Sequence, residues 1–115
     1  MGELHGIARF KLHEGKVDEF KRLSERCMEI VRAQDTGTLS YEVYFNDDES
    51  ECIVHELYRD SQALIEHAAH IGDELMGAIL ATASASGELL GEPSAELKAQ
   101  MAGSPVRLFT PFLSM

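Results

Sequence analysis

The stretch TLSYEVYFNDDESECIVHELYRD, Thr38 to Asp60, carries β-branched and aromatic residues on both sides of a short polar segment, NDDES. Thr38–Phe45 and Glu51–Tyr58 are therefore predicted strands, and the polar residues between them make the turn of a β-hairpin. Asp47, Asp48, Glu49 and Glu51 lack the alternating ligand spacing and closing glutamate of a calcium loop, so a solvated turn is the expectation.

Moving outward toward the N-terminus, ELHGIARFKL places Leu4, Gly6, Ala8, Phe10 and Leu12 on one side and Glu3, His5, Ile7, Arg9 and Lys11 on the other. This period of two predicts a strand with one apolar face. Gly15 breaks the chain, after which Val17, Phe20, Leu23, Cys27, Ile30 and Val31 recur at steps of three and four, an amphipathic helix that ends near Gly37. On the other side of the hairpin, Asp60 or Ser61 can cap a helix carrying Leu64, Ala68, Ile71, Leu75, Ile79 and Leu80, with a pause expected at Gly72. The small-residue run ATASASG follows. Gly87–Gly91 is then a short strand candidate, Pro93 and Ser94 open a short helix through Leu97 and Met101, and PVRLFTPF is a final strand fenced by Pro105 and Pro111.

Strand, helix, hairpin, helix, strand is the order of an α+β sandwich of the ferredoxin-like, split βαβ type, with an antiparallel sheet and its helices on one face. The whole chain, 1–115, is expected to be one domain, with a core over about 3–85 and a C-terminal extension, 86–115, supplying an appended helix and strand. Such a sheet leaves a second face open. With Ile7, Ile53, Leu57 and Val106 or Phe109 on it, a homodimer through that face would cover the apolar surface.

Twenty acidic residues against 10 basic ones give a formal charge of -10, which disfavours phosphate backbones and anionic lipid as partners. Two cysteines, Cys27 and Cys52, are too few and too far apart for a disulfide framework or a metal motif. No cationic segment followed by a long apolar run opens the chain, Gly6 stands where a myristoylation motif wants Ser or Thr, and no stretch reaches membrane-spanning length. A soluble, cytoplasmic protein is expected, without nucleic-acid or membrane partners.

Three segments in this order resemble the antibiotic biosynthesis monooxygenase domain, a dimeric α+β barrel family. They are ARFKLHEGKVDEF, TGTLSYEVYFNDD and, most tellingly, HELYRDSQALIEH, in which the family shows a glutamate, an aromatic two residues later, a polar cap, "AL" and a histidine. The resemblance spans about residues 4 to 80. It implies metal-free and flavin-free oxygenation of phenols, quinol oxidation, haem breakdown or isomerisation of a phosphorylated signal on one scaffold. The haem-degrading branch uses an asparagine, a tryptophan and a histidine; here Ala8 and Tyr58 occupy the first two positions and only His67 matches. Haem degradation is thereby disfavoured, and oxygenases relying on the same asparagine and tryptophan become doubtful.

His67 follows Leu64 by three residues and precedes Ile71 by four, so its ring shares the apolar stripe and should face the sheet. Ala8 and Phe10 would line the opposite wall, with Tyr58 at its rim and Tyr41 and Leu64 completing a site for a flat aromatic substrate. An imidazole there can take a phenolic proton near neutral pH; equally, it can be a buried histidine satisfied by a backbone carbonyl or by Tyr41. His70, four residues from both Glu66 and Glu74, is expected on a solvated, charge-paired flank. The pair could bind a metal only with a third ligand, and the one at helical spacing, Glu74, lies on His70's side only, so no metal is expected. His5, Arg9 and His55 fall on the other sheet face, as a polar layer at the dimer interface. The reading is a cofactor-independent monooxygenase, with His67 catalytic and molecular oxygen as co-substrate, acting on a phenolic or quinol-like molecule. The alternatives are a His67-dependent isomerase of a small metabolite and a non-catalytic ligand-binding or stress protein.

Overall fold

The computed structural model describes residues 2–115. The hairpin forms as expected, with β2 (Thr38–Phe45) and β3 (Glu51–Tyr58) in antiparallel register, Val43 opposite Val54 and Phe45 opposite Cys52. Its turn is held by its own polar atoms: Asn46 Oδ1 accepts the Glu51 N–H at 2.9 Å and Asp48 Oδ1 accepts the Ser50 N–H at 3.0 Å. Lys21 donates to Glu49 at 2.7 Å, tying the turn to α1 (Val17–Gln34). Asp48 is thus spent on turn geometry and Glu49 on a surface ion pair.

β1 (Leu4–Leu12) pairs antiparallel with β3 on one side and with β4 (Ala83–Leu90) on the other. The strand order is β2-β3-β1-β4-β5. Its first four strands are the ferredoxin-like arrangement, with α1 and α2 (Ser61–Leu80) packed on one face: Phe20, Cys27 and Ile30 from α1 meet Cys52 and Val54 from β3 and Ile71 and Ile79 from α2. The Asp60 carboxylate caps α2, accepting the Ala63 N–H at 2.9 Å. Gly72 leaves helical geometry at φ 80°, a conformation glycine tolerates, and so marks the expected pause.

Two expectations need correction. The sheet is mixed, because β5 (Arg107–Phe109) runs parallel to β4, returning through α3 (Ala95–Met101) as a βαβ crossover requires. β4 begins at Ala83 rather than Gly87, so the small-residue run is strand: Ala85 pairs with Phe10 and Ala83 with Leu12. Alanine and serine have weak strand preference, and pairing with β1 imposes what local propensity does not. Leu39 is 50% exposed, because a register shift between Thr38 and Ser40 takes it off the inward face shared by Tyr41 and Val43.

The sheet is open, with β2 and β5 at its edges. On the face away from the helices, the His5 and His55 rings stack at 5.6 Å and Arg9 pairs with Glu88 at 3.2 Å, while Ile53 is exposed among them. Among the described residues, no helix is long and apolar enough to cross a membrane.

Candidate active site

Inward positions on neighbouring strands lie in rows across the sheet. One row is Tyr41, Glu56, Gly6 and Leu89, and the next is Val43, Val54, Ala8 and Gly87. Gly6, Ala8, Gly87 and Ala85 contribute almost no side-chain volume where β1 and β4 meet, so the helices cannot close onto the sheet there. The result is a cavity of about 350 Å³, lined by these residues with Tyr41, Glu56, Tyr58, Leu64, His67 and Ile71. Gly87 has no room for a larger residue, since a Cβ would approach the Ile7 carbonyl oxygen at 2.7 Å. Met76 on α2 and Met101, Pro105 and Val106 of the C-terminal segment complete the lining.

His67 is buried, 8% exposed, with its ring 5.4 Å from that of Tyr58 and 5.7 Å from that of Tyr41. Its partner is neither a backbone carbonyl nor Tyr41: His67 Nδ1 lies 2.8 Å from Asp35 Oδ2. The other Asp35 oxygen lies 2.6 Å from His70 Nδ1, and the Thr38 hydroxyl donates to Oδ2 at 2.7 Å. His70 therefore departs from the expected flank. Its side chain is 28% exposed and it binds Asp35 rather than Glu66 or Glu74, because α1 delivers a buried carboxylate directly opposite that turn of α2.

Asp35 is the C-cap of α1, and its side chain is 2% exposed. Burial alone would push its carboxyl up, but the hydrogen bonds from His70, Thr38 and His67 outweigh that and hold it below the usual carboxylate range. An ionised carboxylate only accepts hydrogen bonds, so both imidazoles must carry their proton on Nδ1. With the proton on Nδ1, the unprotonated nitrogen of a neutral His67 ring is Nε2.

Across the cavity, Glu56 occupies the inward phase of β3 between Val54 and Tyr58, and it accepts a hydrogen bond from the Tyr58 hydroxyl. Burial raises its carboxyl above the ordinary value, with the Tyr58 bond and the charges of His67 and His55 pulling the other way. Burial and the adjacent Glu56 also raise the Tyr58 phenol, so it stays protonated. Burial raises Tyr41 likewise, followed by the charge of Glu56. Cys27 is raised by burial and Cys52 is pushed up to about 11, so both free thiols are structural. Among the described residues, no group of three or more His, Cys, Asp or Glu side chains is arranged to hold a metal ion.

The structure brings His67, Tyr58, Tyr41, Ala8, Phe10 and Leu64 together around one cavity. Sequence reasoning missed Asp35 and gave Glu56 no role. Both left a signal. An acid at a helix C-terminus faces the negative end of the helix dipole and needs a compensating partner. A glutamate in phase with Cys52, Val54 and Tyr58 is a charge on a core-facing strand position.

The antibiotic biosynthesis monooxygenase family model matches residues 4–72, more than half of the chain. Among solved structures, MupZ from Pseudomonas fluorescens is similar over 100% of this chain and 94% of its own, at 22% identity and a TM-score of 0.84. SnoaB from Streptomyces nogalater, described as a cofactor-independent oxygenase, is similar over 83% of this chain and 97% of its own, at 16% identity and a TM-score of 0.66. Rv0793 from Mycobacterium tuberculosis is similar over 80% of this chain and 96% of its own, at 23% identity and a TM-score of 0.69. Among curated proteins, none matches the sequence. The order of strands and helices, the hollow under α2 and the family match agree: the chain belongs to the antibiotic biosynthesis monooxygenase family.

Proposed function

We propose that the protein is a cofactor-independent monooxygenase that oxidises a phenolic or quinol-like small molecule, with His67 as its general base. The observation that carries this reading is the Asp35–His67 hydrogen bond of 2.8 Å, which leaves Nε2 as the basic atom on a ring lining an apolar cavity. A cavity of about 350 Å³ with Phe10, Leu64 and Ile71 in its walls suits a flat molecule of two or three rings.

In this mechanism the substrate hydroxyl gives its proton to His67 Nε2. The imidazolium that forms is stabilised by the Asp35 carboxylate, and the electron-rich anion transfers one electron to molecular oxygen. The two radicals combine to a peroxide anion at the ring carbon, the imidazolium returns its proton to give the hydroperoxide, and loss of water, carrying off the hydrogen of that ring carbon, leaves the quinone. Molecular oxygen is the oxidant, one of its atoms ending in the quinone and the other in water. The chain supplies desolvation, orientation and the base. A homodimer through the open sheet face, where Ile53 is exposed, is part of the same proposal.

Oxygen uptake with a panel of naphthols, anthrones and quinols, in the presence of a chelator, tests the assignment. Stoichiometric uptake that disappears in His67→Ala supports it, whereas uptake unchanged by that substitution removes His67 from the mechanism. The second reading, a proton-transfer isomerase, is favoured by Glu56 standing across the same cavity from the base. It requires solvent deuterium to enter the product with no oxygen consumed.

A further inference from the structure

Asp35, bonded to His67, and Glu56, in the cavity wall, are carboxylates that the fold treats in opposite ways; Glu88, the other acid of the lining, is paired with Arg9. Asp35 receives donors from His67, His70 and Thr38, and is committed as an anion. Glu56 accepts only the Tyr58 hydroxyl, at Oε1, and lines the cavity. The Tyr58 ring bridges the two groups, packing against His67 at 5.4 Å while its hydroxyl meets Glu56. Among the described residues, no basic side chain lines the cavity apart from His67, so a negative charge at Glu56 is offset only by that imidazole and, from the far face of the sheet, by His55. An anionic substrate beside an ionised Glu56 would be repelled; beside a neutral carboxylic acid it would be offered an O–H donor.

We propose that Glu56 is the second catalytic residue of this cavity. As a neutral acid it donates a hydrogen bond from Oε2 to a substrate carbonyl, while His67 takes the proton from a hydroxyl conjugated with that carbonyl. The inference rests on the reading of His67 as the base and narrows the substrate class to hydroxy-carbonyl arenes. The proton balance is complete within the site. The substrate O–H bond breaks, the His67 Nε2–H bond forms, and the charge left on the substrate delocalises through the ring onto the carbonyl oxygen that Glu56 faces. The imidazolium stays next to Asp35, so each developing charge meets a group of suitable polarity. Burial, which raises the Glu56 carboxyl, acts in the same direction.

Two ligands of one skeleton test this without requiring turnover. One is a hydroxytetralone whose carbonyl lies para to the hydroxyl; the other is the tetrahydronaphthol that lacks only the carbonyl. The wild-type protein should prefer the ketone by about tenfold, the worth of one good hydrogen bond. Glu56→Gln, which keeps a donor, should retain most of that preference, and Glu56→Leu should abolish it. A carbon-13 label on the ketone provides a readout independent of any variant: its infrared carbonyl band should move to lower frequency on binding the wild-type protein. Equal affinity for both ligands, or a carbonyl band matching that in an apolar solvent, overturns the role of Glu56 and leaves His67 as base intact. Failure of both ligands to bind, or binding of both unchanged by His67→Ala, overturns the reading of the cavity itself.

Discussion

The two ends of the interior share the same sheet and the same pair of helices, yet one is solid and the other hollow. At the solid end, Phe45 meets Phe20 edge-on at 6.0 Å and Ile30 and Cys52 pack in the same cluster, while Phe10 and Phe20, with centroids 5.2 Å apart, form the boundary with the cavity. At the hollow end the same strands carry Gly6 and Ala8 opposite Leu89 and Gly87, and the polar groups gather there: Asp35, His67 and His70 on one side, Glu56 and Tyr58 on the other. The solid end buries apolar area and holds the fold together. The hollow end gives up packing and spends hydrogen bonds on orienting ionisable groups, an arrangement that a purely structural core would not need.

This division can be broken from either side. His67→Ala should lower turnover by about two to four orders of magnitude, the usual worth of a general base. Its unfolding midpoint should barely move, because Asp35 keeps two other donors; steady-state oxygen uptake and chemical denaturation on the same preparation check both halves. Ile30→Ala is the mirror case. It should cost about 2 to 5 kcal/mol in denaturation, since Ile30 is buried in the core cluster and does not line the cavity. Ligand affinity in the fraction that remains folded should be little changed.

Asp35→Asn should do both kinds of damage. Two imidazole donors lose their anion, which should cost about 3 kcal/mol of stability, and Nε2 of His67 loses its assigned tautomer, so activity should fall as well. Intact activity in this variant would show that the dyad does not orient the base. Ala8→Leu sharpens the contrast differently, by making the hollow end resemble the solid one. Stability should change by only about 1 kcal/mol, while ligand binding measured by calorimetry should disappear.

The smallest effects are in the pH dependence of stability, where the two carboxylates act with opposite sign. Asp35 is held below the usual range, so its contribution is complete above the unfolded value of about 3.9 and is lost as pH falls toward the depressed folded value. Glu56 is raised, so the folded state holds its proton more tightly, and stability declines as pH rises above the unfolded value of about 4.3 until the folded group ionises. Unfolding curves at stepped pH should therefore show the acid limb flattened in Asp35→Asn and the decline above it flattened in Glu56→Gln.

The hairpin, β1, α1 and the inward orientation of His67 were legible because each rests on a run of residues in one period. The beginning of β4 was not, since its alanines and serines express no preference until β1 pairs with them. His70 illustrates the other limit. Its spacing to Glu66 and Glu74 is a real helical relation, but a buried carboxylate from α1 at 2.6 Å outcompetes acids that water can reach.

Periodicity by itself determined which residues face inward, because strand and helix geometry are local and repeat every two or 3.6 residues. It thereby placed Gly6, Ala8 and His67 on the interior. Only the tertiary structure decided that the small residues of β1 and β4 fall side by side to leave a cavity, and that Asp35, 32 positions from His67, orients both histidines of α2, of which His67 lines that cavity. Sheet register and helix docking are set by packing of the whole chain, and contacts between residues so far apart carry no local signature.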